Sequence, residues 1–207
     1  MRKEKPHIFL DLDNLKYHTT PAHMEYVNST YSVKTVYEDY LDMSNLHAVL
    51  KTYTNNVPDY DQFWNDMGIN FLSSIKWHEK VEPFPDMREV VFELVEKYTL
   101  WTVTARQRRT KKVIEYLNNK HIPNCITDVH CVWIDQEDGT FSKHPKKDFI
   151  LNTEGEKIAF IDDTPREIYD MGKIIPSYLF DPSIRYSHLA DIPHRFESWR
   201  EIGETFL

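Results

Sequence analysis

Two acids placed one residue apart close an apolar run, His7-Ile8-Phe9-Leu10-Asp11-Leu12-Asp13. A buried strand that delivers two carboxylates at its carboxyl end can supply both a nucleophile and a proton carrier beside a hard cation. A second apolar run ends the same way near the other end of the chain, in Lys157-Ile158-Ala159-Phe160-Ile161-Asp162-Asp163. Between them, Tyr98-Thr99-Leu100-Trp101-Thr102-Val103-Thr104 is a strand tipped by a hydroxyl, and Lys143, Lys146 and Lys147 precede the third strand. A carboxylate facing a phosphate ester can attack phosphorus, and water can then release the aspartyl-phosphate. Such a site needs a nucleophile, an acid/base, a cation with oxygen ligands, and donors for the phosphoryl oxygens. Asp11 suits the first role and Asp13 the second. Asp162 and Asp163 offer oxygens of the kind Mg²⁺ takes, Thr104 a hydroxyl and backbone N–H, and one of the lysines a point charge. Taken singly these features are ordinary: Asp-x-Asp occurs in turns, and Asp163 or Thr164 before Pro165 would cap a helix. Their order along three apolar strands is what makes them a constellation.

The elements that must position these residues follow from periodicity. Residues 7–13 read as a fully buried strand. From Glu82 onward strands alternate with helices: an apolar helical face at Met87, Val90, Val91, Leu94 and Val95, the strand 98–104, a basic amphipathic helix at 108–120, and a strand from Ile126 to Trp133. A turn at 135–139, a short helix at 146–152, the acid-ended strand 157–163, a helix at 165–173, a strand at 177–180 and a terminal helix over 197–207 complete the series. This alternation predicts an α/β fold, a parallel sheet with helices on both faces. Ligands of such sheets bind outside the carboxyl ends of the strands, where the strand order reverses. Asp11, Asp13, Thr104, Asp162 and Asp163 all fall at predicted carboxyl ends and so share one crevice. Residues 14–82 differ: polar, rich in Tyr, Asn and Asp, with helical spacing at 21–31, 43–53 and 59–76 and no clear strand. They form a candidate inserted subdomain.

This order of residues resembles the haloacid dehalogenase-like (HAD) superfamily of phosphatases. Phe9-Leu10-Asp11-Leu12-Asp13 is similar to its first motif, Leu100-Trp101-Thr102-Val103-Thr104 to its second, a lysine at a helix start to its third, and Ala159-Phe160-Ile161-Asp162-Asp163 to its fourth. The resemblance implies a Rossmann-like core of residues 1–15 and 82–207 with a small helical cap of residues 16–81. It implies Asp11 as nucleophile and Asp13 as general acid/base. Mg²⁺ would be held by Asp11, the Asp13 carbonyl and Asp163, with Asp162 assisting, and phosphate by Thr104, Ala105 and Lys146. Lys146 fits the family's lysine best, ahead of Lys147 and Lys143. Glu82-Pro83-Phe84-Pro85, Thr104-Ala105-Arg106, Leu179-Phe180-Asp181 and Ser198-Trp199-Arg200-Glu201-Ile202 further resemble the 5′-nucleotidase C-type branch. That implies a (deoxy)nucleoside 5′-monophosphate as substrate. Asn14-Leu15 departs from the family's Gly followed by Thr or Val; a left-handed turn tolerates Asn, so the chemistry is expected to survive. The alternatives are a nucleic-acid 3′-phosphatase and a catalytically silent phosphate-binding domain.

Bulk composition bounds the partners. A net charge of −8 over 207 residues argues against a general nucleic-acid or membrane-surface binder. No segment approaches membrane-spanning length. Cys125 and Cys131 lack zinc-finger spacing and are too few for a disulfide framework, so a reduced cytoplasmic setting and inert thiols are expected. Among the aromatics of the insert, Phe63, Met67 and Phe71 are expected to pack its own core, while Tyr17 and His18 are expected to face the crevice. Arg106 is expected at phosphate or sealing the crevice, Arg108 and Arg109 on a solvated face, and His144 on a surface loop.

Overall fold

The chain is described here from a computed structural model covering residues 5–40, 43–135, 141–143, 146–192 and 194–207. Its first strand, β1 (His7–Leu10), is buried throughout, with His7 and Phe9 on one face and Ile8 and Leu10 on the other. Both faces are covered. Ile8 and Leu10 join a core with Val91 and Leu94 of α5 (Met87–Lys97), Ile114 and Leu117 of α6 (Lys111–His121), and Trp199 and Ile202 of α9 (Trp199–Phe206). Phe9 joins a second core with Ile150 of α7 (Lys146–Asn152) and with Ile168 and Met171 of α8 (Pro165–Met171). Two-sided burial is why β1 reads as a continuous apolar run rather than an alternating one.

The sheet order is β4-β3-β2-β1-β5-β6-β7. Here β2 is Thr99–Gln107, β3 Ile126–Asp135, β4 Phe141–Lys143, β5 Lys157–Asp162, β6 Ser177–Phe180 and β7 Arg195–Phe196. All pairings are parallel except β3 with β4. The expected α/β fold is therefore present, a Rossmann-like parallel sheet with helices on both faces. The chain runs outward from β1 through β2 to β3, then crosses to β5 on the other side of β1. The strand order reverses at that point, between the two strands that end in acids.

Helices follow β1 before the next strand: α1 (Thr20–Tyr31), α2 (Leu46–Tyr53), α3 (Tyr60–Asp66) and α4 (Ile75–His78). Their apolar residues Tyr26, Val27, Leu46, Leu50, Phe63, Met67 and Phe71 belong to the same continuous core as β1, α5 and α9. Phe63, Met67 and Phe71 are fully buried, but in this core shared with the sheet rather than, as was expected, in one of the insert's own.

Some local expectations need correction. The single helix expected over 59–76 is instead α3, a π-helical stretch Met67–Leu72, and α4. Gly68 explains the widened turn. Its backbone lies so close to Gln107 that a Cβ there would sit 2.0 Å from Gln107 Oε1, and its carbonyl accepts Ser73 N–H at 3.1 Å, five residues on. Strands β4 and β7 were not anticipated; three and two residues carry too little periodicity to read. The turn expected at 135–139 lies outside the described residues beyond Asp135.

Candidate active site

The register of the central strands decides what meets. Leu10 pairs with Thr102 of β2 and Ile161 of β5, so Asp11 emerges level with Val103 and Asp162. Asp11 N–H continues the ladder by donating to Ile161 O at 3.0 Å. The chain then turns sharply. Asn14 adopts φ 51°, the left-handed conformation expected of it, with its N–H on Tyr17 O at 2.9 Å and its Oδ1 accepting Thr20 Oγ1–H at 3.0 Å. Leu15 is buried, and its carbonyl accepts the Trp199 indole N–H at 2.8 Å.

Asp11 is 5% exposed. Its Oδ1 accepts Lys146 Nζ at 2.6 Å and its Oδ2 accepts Asp13 N–H at 3.0 Å. Lys146 opens α7, is itself buried, and also reaches Asp162 Oδ2 at 2.6 Å. Lys146 therefore joins the carboxylates. Lys147 is exposed, Lys143 sits on β4, and His144 lies outside the described residues. The other oxygen of Asp162 accepts Thr164 N–H at 2.8 Å, which leaves Asp162 held from both sides.

Oxygens of Asp11, Asp162 and Asp163 lie within 4.8 Å of one another. Three carboxylates facing Lys146 and, at 3.6 Å from Asp163, Arg185 leave a local excess of negative charge. Burial, then the neighbouring acids, push Asp11 well above the usual carboxylate range against the pull of Lys146; burial and Asp162 likewise raise Asp163. An all-oxygen donor set with uncompensated charge fits a hard divalent cation such as Mg²⁺. Asp11, Asp163 and Asp162 are the residues that would hold it.

Asp13 points elsewhere. Arg106, 4% exposed, grips it as a fork: Nε to Oδ2 at 2.9 Å and Nη2 to Oδ1 at 2.7 Å. Although burial opposes the charge, Arg106 wins and holds Asp13 well below the usual carboxylate range. Arg106 was expected at phosphate or sealing the crevice; at rest it is the partner of Asp13. Thr104 is buried on β2, and Ala105 beside it is exposed. Arg108 is exposed and Arg109 half-buried.

Tyr17 does not face the crevice, contrary to expectation. It is fully buried and donates its hydroxyl to Asn118 Oδ1 at 3.0 Å, because the turn at Asn14 folds residue 17 back onto the core. His18 is half-buried between Tyr37, whose hydroxyl lies 3.4 Å from its Nε2, and the Phe84 ring. Cys125 and Cys131 are free, and burial raises both thiols, Cys131 to about 11, which keeps them unreactive.

Two cations escaped the sequence reading. Lys16 is fully buried, with Nζ donating to Thr102 Oγ1 and, at 3.3 Å, to Asn118 Oδ1; burial lowers it to about 7. Arg185 lies with Nη2 3.6 Å from Asp163 Oδ2. Its loop is built around buried Asp181, which accepts the N–H groups of Arg185 and Tyr186 at 2.9 and 2.8 Å. No local signal marks either residue, since Lys16 sits in a polar stretch and Arg185 is far from Asp163 in sequence.

In sequence the chain matches no family model and no curated protein. In structure it matches a "putative phosphoglycolate phosphatase" from Lactobacillus delbrueckii subsp. bulgaricus at TM-score 0.71 and 14% identity, over 99% of each chain. The fold is HAD-like. A haloacid dehalogenase-like hydrolase from Streptococcus pneumoniae matches the whole of both chains at TM-score 0.64 and 14% identity. A "putative HAD-hydrolase" from Bacillus subtilis bound to magnesium matches at 0.64 and 11% identity, over 99% of each chain. The HAD-like fold accounts for the sheet and its order reversal. Among the described residues no helix is long and apolar enough to cross a membrane.

Proposed function

We propose that this chain is a Mg²⁺-dependent phosphomonoesterase of the HAD type that acts through a covalent aspartyl-phosphate. The observation that carries this reading is Lys146 bridging Asp11 and Asp162, with Asp163 beside them at the order reversal of the sheet. Phosphatases and HAD hydrolases among proteins of the same fold support it. Bound there, Mg²⁺ would neutralise the carboxylates and the phosphoryl oxygens. An Asp11 oxygen attacks phosphorus, the bond to the leaving oxygen breaks, and Lys146 with Thr104 and Ala105 receives the phosphoryl oxygens. Asp13 hands a proton to the leaving oxygen. Water then attacks phosphorus, Asp13 takes its proton, and the Asp11–phosphorus bond breaks. Because Arg106 keeps Asp13 a carboxylate at rest, the proton for the first half must reach it from the substrate or solvent.

The helical insert of residues 16–81 serves as the cap over this crevice, and residues 1–15 with 82–207 as the catalytic core. The substrate is a (deoxy)nucleoside 5′-monophosphate in a cytoplasmic setting. The nucleotidase-like segments around Glu82, Thr104 and Leu179, and the free, unreactive thiols, support this. The acidic balance of −8 disfavours a nucleic-acid substrate.

The test is phosphate release from a panel of nucleotides and sugar phosphates, with Mg²⁺ and with chelator. Asp11→Asn should abolish turnover, and Asp13→Asn should lower it by about 10²–10⁴-fold. Wild-type turnover in Asp11→Asn rejects the mechanism, and preference for sugar phosphates rejects the substrate class.

A further inference from the structure

Asp13 is held from the insert as well as from the sheet. Arg106 donates to both Asp13 oxygens, and a guanidinium has a third edge. That edge, Nη1, lies 3.3 Å from Nε2 of His78, the last residue of α4. His78 is fully buried, with the Phe71 ring 5.0 Å away, centroid to centroid. Its Nδ1 is 2.8 Å from Ser74 O, which can only accept, so Nδ1 carries the ring's proton. Nε2 is therefore a bare lone pair, and Arg106, which can only donate, bonds to it. The assignment has no second solution for a neutral ring. Burial and the facing Arg106 charge lower His78 to about 3, so the ring is neutral at physiological pH.

The neighbours make this seam rigid. Gln107, next to Arg106, packs on Gly68 of the insert where no side chain would fit. Two bonds to Asp13 fix the guanidinium plane along one axis, and the bond to His78 fixes it about the other. Asp13 rides on the turn that follows β1, so the plane of its carboxylate is set by Arg106.

We propose that His78 is a positioning residue for Asp13: seated in the insert, it fixes the Arg106 guanidinium, which in turn aims the Asp13 carboxylate for proton transfer. The proposal rests on the phosphatase reading. It makes one step, protonation of the leaving oxygen, depend on a residue that touches neither substrate nor metal ligands.

Leaving groups separate this role from general damage. An alkoxide must be protonated as it leaves, whereas p-nitrophenolate leaves without help. In His78→Leu, kcat/KM for the best alkyl phosphate of the nucleotide panel should fall roughly 10- to 100-fold. For p-nitrophenyl phosphate it should stay within about 3-fold of wild type, a change too small for a lost transition-state contact. His78→Gln, whose amide oxygen can replace Nε2 as acceptor, should restore the wild-type ratio of the two substrates. Equal loss on both esters, or loss on neither, overturns the proposal. If His78→Leu does not fold, the same ratio in His78→Gln against His78→Asn, whose amide is too short to reach Arg106, decides it. Absence of activity in the wild type, or its persistence in Asp11→Asn, would instead reject the phosphatase reading itself.

Discussion

Charge at single residues explains most of what this site can do. Lys146 is surrounded by Asp11 and Asp162 and stays charged; Lys16, a few residues after Asp11, meets a hydroxyl, an amide oxygen and the Tyr17 ring but forms no ion pair among the described residues. A buried ammonium without a carboxylate contact pays a desolvation cost that hydrogen bonds only partly offset. Its value of about 7 in the fold, against 10.5 when exposed, fixes the sign. Between those values the unfolded chain binds the proton and the folded chain does not, so stability rises with pH across that window. The penalty is full below about pH 7 and gone above about 10.5. Lys16→Met should therefore stabilise the protein by about 1–3 kcal/mol near neutrality, with a gain that shrinks as the pH approaches 10. Urea denaturation at neutral and alkaline pH measures both. A destabilised variant, or a gain that grows with pH, contradicts this account.

Among the elements, strand ends and the turns after them carry the functional groups, and the turns differ in how comfortably they do so. Asn14 takes its left-handed conformation with its side chain bonded to Thr20. Ile184 takes the same conformation at φ 53°, where a β-branched side chain clashes with its own backbone. The turn that buried Asp181 closes by accepting two N–H groups imposes it, and that turn presents Arg185 to Asp163. Ile184 is 49% exposed, so its packing recovers little of the strain. Ile184→Asn should raise stability by about 1 kcal/mol, visible as a higher melting temperature. A lower one would mean that the Ile184 side chain holds the loop.

At the scale of the molecule, insert and sheet share one core: Tyr26, Phe63 and Phe71 are continuous with Val91, Leu100 and Trp199. A single cooperative transition follows, with fluorescence and far-UV circular dichroism midpoints coinciding, and Mg²⁺ should raise that midpoint by binding the folded carboxylates. Two separated transitions, or a midpoint indifferent to Mg²⁺, contradict it. Much of this arrangement was legible in the chain. Apolar runs ending in acids marked β1 and β5, because a strand buried on both faces leaves an uninterrupted apolar signature, and helix–strand alternation after residue 82 gave the parallel sheet. The choice of Lys146 rested on the resemblance, in which the lysine is followed three or four residues later by apolar helix positions, here Phe149 and Ile150. What stayed illegible depends on contacts between segments distant in sequence. The grip of Arg106 on Asp13, the bond from His78 to Arg106, the inward fold of Tyr17 and the approach of Arg185 to Asp163 join elements that share no periodicity. Local pattern reports which face of a strand or helix is apolar, and so it determined the fold class and the four acids. Hydrogen-bond geometry between distant side chains exists only once the sheet has closed, and so tertiary structure alone decided how those acids are held.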